Sequence, residues 1–129
     1  MNTPQTLLLI IALLGGGLYF MSRSAATPPA DAPRVSGGRI HGDRAAELVK
    51  GGALLLDVRT PAEFAADHLE GAVNIPVQTL AQRVAEVPKD RVVVVYCRSG
   101  ARSGHASRIL LDRGYTTLYD LGPISAYPR

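Results

Sequence analysis

The rhythm of hydrophobic positions changes several times along the chain, and each change predicts an element. Four valines and a tyrosine run without a polar break over residues 92–96. So β-branched and uniformly apolar a stretch predicts a strand buried on both faces, as in a parallel sheet. Beyond Cys97 the residues turn small or basic, and from about Ala101 the positions Ala106, Ile109 and Leu110 recur at helical spacing until Gly114. A second apolar run, 53–56, leads into Asp57, Val58 and Arg59, after which Thr60, Pro61 and Glu63 form the signature of a capped helix start. Ala45, Leu48 and Val49 mark one face of a short helix over 43–50, stopped by Gly51 and Gly52. Residues 72–75 predict a short strand, and Val77, Leu80, Val84 and Val87 one amphipathic helix that Pro88 ends. The β-branched and aromatic content of 116–119 predicts a last strand at the sheet edge. Strands alternate with helices throughout, which predicts an α/β fold: a parallel sheet with both faces covered.

The chain ahead of this pattern is different. Residues 6–21 carry no charge, and at 1.5 Å per residue they would reach about 24 Å, somewhat short of a hydrocarbon core of roughly 30 Å. A cleaved signal peptide would use Ser24 and Ala26 as small residues, but no Lys or Arg precedes the apolar run. Tyr19 and Phe20, placed at an interfacial belt, favour an uncleaved N-terminal hydrophobic helix over residues 1–21, a single-pass anchor in a bacterial-type inner membrane. Arg23, Arg34 and Arg39 against Asp31 leave open which side the rest faces. Residues 22–38, rich in Ala, Pro, Ser and Gly, read as an extended tether, and residues 39–129 as one folded domain.

Of 129 residues, 47% are hydrophobic and 19% charged, with a net charge of +3. The basic residues are scattered, without a basic helix or an aromatic platform, which argues against a nucleic-acid partner. A single cysteine excludes an internal disulfide and an internal resolving thiol.

That cysteine lies between a strand end and a helix start, where unpaired backbone N–H groups favour an anion. A thiol there, with Arg98 and Arg102 beside it, is a candidate nucleophile. The bland alternative is a core cysteine packed as a small hydrophobe, which the following Arg98, Ser99, Gly100 and Arg102 oppose. Asp57 reads as a structural carboxylate paired with Arg59. His105, eight residues beyond the cysteine, reads as a solvent-facing side chain, and His41 is isolated.

Three stretches together resemble a single rhodanese domain from about Arg39 to Tyr127: Leu55-Leu56-Asp57-Val58-Arg59-Thr60-Pro61-Ala62-Glu63-Phe64, His68-Leu69-Glu70-Gly71-Ala72-Val73-Asn74-Ile75-Pro76, and Tyr96-Cys97-Arg98-Ser99-Gly100-Ala101-Arg102-Ser103. The resemblance implies a mainly parallel five-stranded sheet with helices on both faces, no cofactor, and sulfurtransferase chemistry. Cys97 would carry a persulfide between a small anionic donor such as thiosulfate and a thiol or cyanide acceptor. Arg98, Ser99, Gly100, Ala101, Arg102 and Ser103 would hold the donor and the sulfur, with Asp57 and Arg59 in support. The chain departs from the family near its end, reading Leu121-Gly122-Pro123-Ile124-Ser125-Ala126-Tyr127 where two glycines and a tryptophan are common. Phosphatases and arsenate reductases of the same fold place an arginine six residues after the cysteine; here that position is Ser103. A membrane-tethered sulfur carrier or binding module with little turnover is the other alternative.

Overall fold

The computed structural model describes residues 38–129. In chain order these form β1 (Gly38–Arg39), α1 (Gly42–Lys50), β2 (Leu54–Asp57), α2 (Pro61–Ala66), β3 (Val73–Asn74), α3 (Val77–Leu80), a 3-10 turn (Val84–Glu86), β4 (Val93–Cys97), α4 (Ala101–Asp112), β5 (Leu118–Pro123) and a second 3-10 turn (Ile124–Ala126). The strands lie in the order β1-β5-β4-β2-β3, and every neighbouring pair is parallel.

The valine run occupies the centre of the sheet, where residues on both faces are buried, and all five residues of β4 are inaccessible. Alternate side chains feed two separate cores. Leu54, Leu56, Val93, Val95 and Cys97 pack beneath α3 and α4 against Val77, Leu80, Ala106 and Leu110. Leu55, Val94 and Tyr96 face the other way, onto Ala45 and Leu48 of α1 and onto Tyr119 and Leu121. Each fully buried Leu or Val side chain contributes about 1.5–3 kcal/mol, so these two layers hold the sheet without a disulfide. Asp57 stands opposite Tyr96 in the β2–β4 register, so the loops that follow these two strands emerge side by side at one end of the sheet.

Three expectations need correction. Gly38, assigned by composition to the tether, pairs with Tyr119 in β1, and this added strand takes the edge, so β5 lies inside the sheet. The helix expected over 77–87 is two pieces, α3 and a 3-10 turn, and the Arg83 N–H is shared between the carbonyls of Thr79 and Leu80. Pro88, which has no N–H for the Val84 carbonyl, forces Val87 into extended backbone and leaves the carbonyls of Val84 and Val87 to the Tyr115 hydroxyl. Finally, β5 runs on to Pro123 past a register shift opposite Val95/Tyr96, with Gly122 at φ 82°. The anchor expected over residues 6–21 lies outside the described residues. Among those described, no helix is long and apolar enough to cross a membrane.

Candidate active site

Two loops form the site. After β2, the Asp57 carboxylate is wholly buried and accepts the backbone N–H of Arg59 at 2.9 Å. The Arg59 guanidinium closes on the same carboxylate, Nε at 3.0 Å and Nη2 at 2.6 Å, and Nη2 also donates to the Asp67 carbonyl. Asn74 Nδ2 ties this loop to β3 by donating to the carbonyls of Asp57 and Arg59. The Tyr96 ring lies 5.6 Å beneath the Arg59 guanidinium, and its hydroxyl accepts the Leu69 N–H. Burial holds that hydroxyl far above its ordinary pKa, so it stays protonated. Asp57 and Arg59 are therefore each other's partners, as their spacing implies.

After β4 the chain turns through residues 98–100 into α4. Gly100 adopts φ 102°, a conformation that side chains rarely reach, and caps the helix without a side-chain hydrogen bond. Its N–H points back and donates to Cys97 Sγ at 2.9 Å. The sulfur thus takes the place of a helix cap. Burial pushes the thiol pKa up, but the Ser103 hydroxyl and the N–H groups of Ser103, Gly100 and Ser99 outweigh it, and the net shift is downward. The Ser103 hydroxyl carries one proton for two acceptors, the sulfur and the Gly100 carbonyl at 3.1 Å. Cys97 is 0% exposed and packs within the core, as the core-cysteine alternative expects, but its sulfur also accepts the Gly100 N–H.

The other expected site residues divide. Arg98, Ser99 and Ala101 are exposed on the rim of the loop. Arg102 is part-buried and turned to Glu63, its Nη1 and Nη2 on the two carboxylate oxygens at 2.7 and 3.0 Å. That pairing comes first among the causes that hold Glu63 at a pKa of about 2. Glu63 also completes the Thr60 capping box, so one carboxylate joins the two loops. His105 is exposed. His68 is exposed and stacks on Phe64 with ring centroids 3.8 Å apart. Residue spacing did not reveal the role of the Ser103 hydroxyl, which depends on how the loop after Cys97 turns into α4, or the second duty of Glu63, whose partner is 39 positions away. On the side where the chain departs from the family pattern, Pro123 stands beside Cys97.

A parallel α/β sheet whose central strand delivers a thiol to backbone N–H groups at a helix start makes a candidate anion site built on a cysteine. Residues 42–122 match the rhodanese-like domain, and the chain belongs to that family. Over 77 residues it is 47% identical to a sulfurtransferase of Allochromatium vinosum, covering 59% of this chain and 72% of that one. Over 69 residues it is 39% identical to the thiosulfate sulfurtransferase PspE of Escherichia coli, covering 52% of this chain and 66% of that one. Among solved structures, a rhodanese with anions from E. coli superposes with a TM-score of 0.55 at 36% identity, covering 60% of this chain and 95% of the other.

Proposed function

We propose that the protein is a sulfurtransferase that moves sulfane sulfur from thiosulfate, or a persulfide donor of like charge, to a thiol or cyanide acceptor. The observation that carries this reading is the Gly100 N–H donated to Cys97 Sγ at the N-terminus of α4. In the first step the Cys97 thiolate attacks the outer sulfur of thiosulfate. A sulfur–sulfur bond forms to Sγ, the bond to the sulfonate sulfur breaks, and sulfite departs with its electron pair. The persulfide anion then rests where the amides of Ser99, Gly100 and Ser103 converge, stabilised as an oxyanion hole stabilises oxygen. In the second step an acceptor thiolate or cyanide takes the outer sulfur and returns Cys97 as thiolate. Arg98, exposed on the rim, attracts the donor; Arg102, neutralised by Glu63, contributes more to positioning than to charge. A relative named a thiosulfate sulfurtransferase supports the choice of donor.

The test is the intact mass of the full chain after incubation with thiosulfate. The reading requires a gain of one sulfur atom with release of sulfite, absent in Cys97→Ser. No gain in the wild-type protein, or hydrolysis of an aryl phosphate in its place, would overturn it.

A further inference from the structure

Arg39 belongs to β1, ahead of the residues that match the family, and no step above uses it. It is in register with Asp120 of β5, and parallel neighbours in register share a face. Arg39 Nη2 lies 3.4 Å from Asp120 Oδ2, while Asp120 Oδ1 accepts the Gly122 N–H at 2.8 Å. The guanidinium lies against two glycines. A β-carbon on Gly122 would collide with Arg39 Nη1 and Cζ, and one on Gly100 would stand 2.9 Å from Nη2 and 3.1 Å from Nη1. Gly100 and Gly122 both hold positive φ, at 102° and 82°. Gly122 pairs with Tyr96, and Gly100 donates its N–H to the nucleophilic sulfur.

We infer that Arg39 is a positioning residue for sulfur transfer: anchored on Asp120, its guanidinium braces Gly100 and Gly122 from outside and keeps the Gly100 N–H aimed at Cys97. The buried part of the device is Asp120, 7% exposed; the brace itself is 54% exposed and so reaches the rim of the site from the edge of the sheet. Glycine at both positions supplies the backbone twist and also the room for a planar cation. The inference rests on the sulfurtransferase reading for its consequence in turnover, but not for the geometry of the thiol.

The test compares full-length wild type, Arg39→Met and Asp120→Asn in two assays. Asp120→Asn keeps an acceptor for the Gly122 N–H and removes the charge that holds the guanidinium. In the first assay, alkylation of Cys97 by iodoacetamide at fixed neutral pH reports the thiolate fraction. Both variants are expected to react about fivefold to tenfold more slowly than wild type. In the second, the thiosulfate reaction is expected to lose kcat by a similar factor while KM stays within about twofold. Alkylation at the wild-type rate in whichever variants remain folded by circular dichroism would overturn the inference. A raised KM with kcat unchanged would also overturn it, because Arg39 would then bind the donor. Wild-type protein that takes up no sulfur would defeat the sulfurtransferase reading alone, and the alkylation assay would still decide the role of Arg39.

Discussion

The two neighbouring loops are built on one plan and end in opposite chemistry. Each follows a buried strand, β2 or β4, each spans three residues, 58–60 or 98–100, and each enters a helix. Each strand also ends on a group able to carry negative charge, Asp57 or Cys97, that accepts an N–H from the loop beyond it. After β2 every need is met locally. Thr60 and Glu63 cap the helix, and the Arg59 guanidinium neutralises Asp57. After β4 the cap is a glycine with no side chain, the loop's own arginine, Arg98, is exposed, and Arg102 in the first turn of α4 is held by Glu63. The amides are thus left for sulfur. A buried anion closed by its own cation is structure, whereas one held only by amides and a hydroxyl keeps its reactivity.

Breaking the closed loop has the largest consequence. Asp57→Ala leaves the Arg59 guanidinium buried without its partner, and urea unfolding is expected to show a loss of about 3–5 kcal/mol. Breaking the open loop costs activity instead of stability. Ser103→Ala removes the hydroxyl that hydrogen-bonds the sulfur, and single-turnover persulfide formation is expected to slow about tenfold, with stability changed by only about 1 kcal/mol. The contrast is sharpest with Thr60→Ala, which removes half of the capping box: about 1 kcal/mol of stability is expected to go while the rate of sulfur uptake stays within about twofold. A fall in uptake there would mean that the two helix starts are not independent.

Much of this was legible in the residues. The valine run and the apolar stretch at 53–56 are central strands, because only a strand covered on both faces takes so many β-branched side chains. Thr60, Pro61 and Glu63 announce a helix start through contacts three residues apart, and the structure has the capping box. The thiol at the strand end was legible for the same reason, since strand, cysteine and helix are contiguous. What stayed hidden depends on distant partners. A two-residue strand such as β1 has no periodicity and exists only because β5 pairs with it. The 3.6-residue spacing of Val77, Leu80, Val84 and Val87 does not register that Pro88 has no N–H for the last turn or that the Tyr115 hydroxyl reaches the carbonyls of Val84 and Val87 from 31 and 28 positions away. Arg102 and Glu63 are 39 positions apart, so neither declares the other, and an arginine chosen for the donor is found on a carboxylate.

The most direct measurement is the titration of Cys97 itself, by its ultraviolet thiolate absorbance, in the folded chain and in denaturant. Hydrogen bonds to sulfur lower the folded pKa below the ordinary 9.0, so the thiolate persists to lower pH in the folded protein. By linkage, their contribution to stability is present above the unfolded pKa and is lost as pH falls through the folded one. The account predicts a folded midpoint below 9.0 that rises on unfolding; a folded midpoint at or above the denatured one would contradict it.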